Sequence, residues 1–103
     1  MNALKKRAQA LETIYAHEAE MSFRAQARRN AMVGKWAAPM IGKTDPEAYA
    51  QELAGLAVEG DRKVYDKLRA DFTHAGVQLT DEALNDRMVE LLRNAARELH
   101  DHA

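Results

Sequence analysis

The sequence predicts an all-α fold: a small irregular four-helix bundle with a long N-terminal helix or arm. Three observations predict it. Residues 2–38 are dominated by Ala, Arg, Lys, Gln, Glu and Met, all strong helix formers, with no Pro and a single Gly, Gly34. Aromatics make up only 6% of the 103 residues and β-branched residues are sparse, which argues against sheet. Beyond that stretch, three further apolar stripes of helical period are separated by short polar segments carrying cap signals.

Read as one helix, the first stretch runs roughly 50 Å at 1.5 Å per residue. A compact domain of this size has a radius of gyration of about 13 Å, so the helix must bend, fray or project. Its first half carries a thin stripe, Leu4, Ala8, Leu11 and Tyr15, flanked by Lys5, Lys6 and Arg7. From Ile14 a second stripe runs through Met21, Ala25, Met32 and Trp36, with Phe23 nearby. Residues 1–20 are read as an N-terminal helical arm and residues 21–103 as the four-helix body, with Trp36 and Phe23 assigned to core packing. Pro39 lacks an amide donor and ends or kinks the helix, and Gly42 fits a C-terminal cap. Thr44-Asp45-Pro46-Glu47 opens a second helix, with Thr44 or Asp45 as N-cap, Pro46 in the first turn and Glu47 at a capping-box position. That helix buries Tyr49, Leu53 and Leu56 and stops near Gly60. Asp61 is expected to cap a third helix with the stripe Val64, Leu68 and Phe72, closed by Gly76 in the left-handed conformation with Val77 over it. Thr80-Asp81-Glu82 opens the fourth, whose face is Leu84, Met88, Leu91, Leu92, Ala95 and Leu99.

Composition narrows the function. The absence of Cys excludes disulfides, thiolate catalysis and zinc ribbons. No apolar run approaches the length of a membrane span, and MNALKKRAQALE lacks a signal peptide's apolar core, so a cytoplasmic protein without direct membrane insertion is expected. Charge is divided along the chain. Residues 1–43 hold eight Lys/Arg against three acids, net +5, whereas residues 44–103 hold seven against thirteen, net −6. A basic arm on an acidic body can fold back on itself or reach for an acidic partner.

Catalytic and metal motifs are weak. Ala37 to Thr44 satisfies a relaxed phosphate-loop pattern, but no strand precedes it and Pro39 deletes one amide, so it reads as a helix–helix connection. His17-Glu18 lacks the second His of a zinc-protease helix, and the tail His100-Asp101-His102 reads as a helix end. No nucleophile–base constellation exists, so neither an enzyme nor a metal site is expected. The basic face Arg24, Arg28, Arg29 and Lys35 reads as solvated or paired with acids rather than as a nucleic-acid surface. The arm differs. A solvated terminal helix of this length is marginal without packing, yet the arm keeps Leu4, Leu11, Ile14 and Tyr15, which are anchors suited to helix-in-groove binding of another protein.

Tyr15-Ala16-His17-Glu18, Phe23, Ala27-Arg28-Arg29-Asn30 and Gly34-x-Trp36-Ala37-Ala38 form a signature. It continues in Ala48-Tyr49-Ala50, Lys67 to Phe72, Ala75-Gly76-Val77, Met88 and Glu90-Leu91-Leu92. In order and spacing over nearly the whole chain, it resembles the zeta inhibitor subunit of alphaproteobacterial F-type ATP synthases. The resemblance implies a non-enzymatic four-helix regulator, monomeric when free and peripheral to the inner membrane through the synthase. Its N-terminal segment would enter the catalytic head, between a catalytic α/β pair and the γ rotor shaft, and block rotation in the hydrolysis direction. Carried over by position, Arg7, Ala10, Glu12, Ala16 and His17 match the family's N-terminal pattern, Leu4 and Leu11 stand for its phenylalanines, and Tyr15 stands for another aromatic. Lys5, Lys6, Ala8, Ile14 and Pro39 depart from it. The resemblance also implies an alternative: a member with little inhibition whose bundle binds adenine nucleotide. Weak ATP or ADP contacts would then fall to Arg28, Arg29, Lys43 and Thr44, and no other cofactor is expected.

Overall fold

The computed structural model describes residues 2–101; His102 of the C-terminal His-Asp-His tail lies outside them. Four α-helices and no strand occur among the described residues. The first, α1 (Ala3–Ala37), is a single unbroken helix of 35 residues. Asn2 caps it, its Oδ1 accepting the Lys5 amide at 2.9 Å. The helix stops just before Pro39, and the Lys43 amide closes the following turn onto the Ala38 carbonyl at 2.9 Å. Of the three fates open to so long a helix, projection is the one adopted. The molecule measures 63 × 24 × 20 Å with a radius of gyration of 17.2 Å, above the value of about 13 Å for a compact domain.

The second helix, α2 (Pro46–Gly55), is capped by Asp45 rather than Thr44, its Oδ1 accepting the Ala48 amide at 3.1 Å. Glu47 closes no capping box; its carboxylate reaches Lys35 at 3.1 Å instead. The sequence places the end of this helix near Gly60, but regular α geometry ends at Gly55 and a 3₁₀ turn, Leu56–Glu59, follows. The Leu56 amide shifts to the Leu53 carbonyl three residues back. Gly55 is a weak helix former, and tightening there lets Ala57 reach the interior.

Asp61 does not cap α3 (Asp61–His74). Gly60 holds the cap position with φ 95°, a conformation open to glycine, and no side chain completes the cap. The Asp61 carboxylate is taken by Arg29, a buried guanidinium with a stronger claim than an exposed amide. The C-terminus of α3 follows expectation: Gly76 has φ 72°, and the Val77 amide returns to the Phe72 carbonyl at 3.0 Å. Thr80 Oγ1 caps α4 (Asp81–Asp101) by accepting the Ala83 amide at 3.0 Å. Arg69 fastens the connection, donating to the Leu79 carbonyl and to Asp81, each at 2.6 Å.

Val33, Ala37, Tyr49, Leu53, Val64, Leu68, Phe72, Leu84 and Met88 form the core. Trp36 is half-buried at its edge, its ring centroid 5.9 Å from that of Phe72 and the Arg87 guanidinium 5.1 Å above it. Phe23 corrects the sequence reading: it is 43% exposed. It lies about two turns before Asn30 and about three before Gly34, the point at which α2 comes alongside α1. Among the described residues no helix is long and apolar enough to cross a membrane.

Gly34 lets α1 and α2 touch at backbone distance. A Cβ there would lie 2.7 Å from Ala50 Cα and 3.2 Å from Leu53 Cδ1. Gly34→Ala gains helix propensity worth about 1 kcal/mol, yet the clash falls on backbone that cannot rotate away. Net destabilisation of about 1–3 kcal/mol is expected, read as a lowered thermal midpoint. An unchanged or raised midpoint would mean that α2 yields freely.

Candidate functional site

Every residue from Asn2 to Glu20 is exposed. Leu4 is 75% exposed, Leu11 56%, Ile14 53% and Tyr15 71%, figures that soluble helices rarely combine within about three turns. At roughly 100° per residue, Leu4, Arg7, Leu11, Ile14 and Tyr15 share one side of α1, spaced by three, four or seven. Glu12 and Ala16, four apart, occupy a second side. Ala10 and His17, seven apart, occupy a third. The eight candidate contacts therefore encircle the helix instead of forming one stripe. Ile14, which the sequence marks as an anchor but the family pattern passes over, belongs with Leu11. Its spacing of seven to Met21 and eleven to Ala25 is the signal that places it there.

The arm's side chains interact little with one another. Thr13 Oγ1 donates to the Gln9 carbonyl at 3.0 Å, and Arg24 pairs with Glu20 at 2.5 Å where the arm meets the body. Lys5, Lys6 and Arg7 form no ion pair among the described residues. They leave a concentrated positive charge near the tip of the helix.

The four candidate nucleotide contacts are not drawn together. Arg28 is held by Glu98 of α4. Arg29 is 2% exposed, donating through Nη2 to Asp61 at 2.6 Å and through Nε to Asn30 Oδ1 at 2.9 Å. Lys43 Nζ lies 5.4 Å from the Tyr49 ring centroid, and Thr44 is exposed in the turn before α2. Beside Lys43, the Tyr49 hydroxyl donates to Asp71 at 2.6 Å, and Lys67 lies 3.2 Å from both Asp71 and Glu52. Burial first, and then Asp71, push the Tyr49 hydroxyl far above its ordinary range. Burial would raise Asp71 too, but the bonds from Tyr49 and Lys67 outweigh it and hold the carboxyl below its usual value. Asp71 is thus a charged acceptor and Tyr49 a neutral donor at neutral pH. The cluster ties α2 to α3 and has no unused acid or base.

Two depressions mark the surface. One, of about 470 Å³, lies between α1 and the end of α4 and is lined by His17, Met21, Ala25, Leu92, Ala96 and Leu99. The other, more open and about 620 Å³, follows the connection from α3 to α4 along Arg69, Thr73, Val77 and Leu79. None of Arg28, Arg29, Lys43 and Thr44 lines either. No group of three or more His, Cys, Asp or Glu residues able to hold a metal occurs among the described residues.

The chemistry on offer is that of contact: an exposed helix with apolar anchors on one side, small and polar residues on the others, and a firmly packed body behind it. Compared with known proteins, residues 1–98 match the family model described as ATPase inhibitor subunit zeta. No curated protein matches the chain.

Proposed function

The chain belongs to the ATPase inhibitor subunit zeta family, and from that premise we propose that residues 1–20 are an inhibitory arm, carried by a body formed of residues 21–103, that wedges into the catalytic head of an F-type ATP synthase. Membership makes the protein a regulatory, inhibitory subunit. The wedge is the finer step. It places the arm between a catalytic α/β pair and the γ shaft, where a rigid rod obstructs rotation in the hydrolysis direction. The observation that carries it is the exposure of every residue from Asn2 to Glu20 on a helix that still bears Leu4, Leu11, Ile14 and Tyr15. Such a helix has apolar surface to bury and nothing in its own body to bury it against.

The encircling arrangement of the eight contacts supports a cleft with more than one wall. Leu4, Leu11 and Tyr15 would meet one subunit, while Glu12 and Ala16, and Ala10 and His17, would turn to its neighbours. On this reading the protein resides where the synthase resides, held at the membrane by protein contacts alone. The test is a titration of ATP hydrolysis by the isolated catalytic head. Saturable inhibition at micromolar or lower protein is expected, and undiminished hydrolysis at a large molar excess would overturn the proposal.

A further inference from the structure

Resting on the wedge reading, we propose that the groove between α1 and the last turns of α4 is a second docking surface for the catalytic head. Its occupant is an apolar side chain from a segment of the head that lies along the arm and is flanked by carboxylates.

Continuity is the first argument. Ile14, Met21 and Ala25 stand on one line of α1. Along it exposure falls from 53% at Ile14, through an intermediate value at Met21, to 6% at Ala25. The line is covered by α4 inside the body and by nothing along the arm. A partner element covering Leu11 and Ile14 therefore runs head-on towards the end of α4, and the groove opens at that junction. Its apolar walls are Met21, Ala25, Leu92, Ala96 and Leu99, and its volume of about 470 Å³ accepts a large side chain.

Charge is the second argument. His100 lines the groove, and Arg93 and Arg97, seven and three residues before it, share its line on α4. Both arginines are exposed, and neither enters an ion pair among the described residues. Elsewhere in the body Arg24, Arg28, Arg29, Arg69 and Arg87 are paired, and Arg62 of α3, which does not line the groove, is the other arginine without an ion pair among the described residues. Two unpaired guanidinium groups beside an apolar groove fit an acidic partner, and they do so on the half of the chain whose net charge is −6.

Ala96 is exposed, so Ala96→Trp fills the groove without entering the core. Inhibition of ATP hydrolysis by the isolated catalytic head should be titrated with the natural protein, with Ala96→Trp and with the double variant Arg93→Glu/Arg97→Glu. The expected result is a half-inhibitory concentration raised about tenfold by each, with unchanged helical circular dichroism. The effect of the double variant should shrink as salt increases. If the natural protein inhibits and both variants match it, the groove proposal is overturned while the wedge stands. If the natural protein does not inhibit, both fall. Equal inhibition by all three, together with saturable laurate binding that Ala96→Trp abolishes, would overturn the protein occupant in favour of a small anionic amphiphile.

Discussion

Deletion of residues 1–19 is expected to abolish inhibition, raising the half-inhibitory concentration by at least about 100-fold. The thermal midpoint of the remaining body should move by no more than about 2 °C. The two halves of this expectation share one cause. Asn2 to Glu20 contribute no buried residue, so their removal takes nothing from the core formed by Val33, Tyr49, Leu53, Leu68 and Phe72. The same deletion removes Leu4, Leu11, Ile14 and Tyr15, the apolar surface that a cleft would cover. Hydrolysis assays read the first half and calorimetry or circular dichroism the second. A truncated protein that still inhibits would move the inhibitory surface onto the body. A large drop in midpoint would show that the arm folds back on the body in solution, its Lys5, Lys6 and Arg7 meeting acids of the C-terminal segment of net charge −6.

Asp61→Ala is expected to cost about 3 kcal/mol, a loss on the order of 10 °C or more in thermal midpoint for a chain of this size. Arg29 has only 3% of its side chain exposed, whereas Asp61 is 51% exposed. Removing the acid leaves a charge inside the protein with one hydrogen bond, to Asn30 Oδ1. Removing the base leaves an acid that water can reach. The asymmetry gives a stricter check: Arg29→Met combined with Asp61→Ala should be more stable than Asp61→Ala alone, because a side chain of similar length fills the site without a charge. A single variant that loses less than about 1 kcal/mol would show that the guanidinium finds water without disturbing the fold. Asn30 adds to the sensitivity of this region. It is fully buried, and its Nδ2 meets no acceptor within the described residues.

The helices were legible because their signals are local. Asp45-Pro46 and Gly76-Val77 state their turns in a few residues, and Leu84, Met88 and Ala95 repeat at a spacing that only one face of a helix can satisfy. Asp61 was misread for the opposite reason. Its neighbours make it a good cap, and the competing partner lies 32 positions away at Arg29. Phe23 failed similarly, since an apolar residue near a stripe is buried only if another element extends far enough to cover it. The arm's anchors could be read from spacing and from resemblance. The groove could not, because Met21 and Leu92 meet only once α1 and α4 have packed, and no pattern within either helix announces the meeting.

One consequence follows from the unbroken course of α1. No cap, proline or glycine interrupts the helix between Ala3 and Val33, so tip and body are cut on a single screw thread. Each residue of thread advances the tip by about 1.5 Å and turns it by about 100°. The compass bearing of Leu4 is consequently fixed by where Val33 sits in the core, far beyond the reach of any direct contact between them. A body seated against a large assembly would act as the handle of a key: its stance outside sets which edge of the blade faces which wall within.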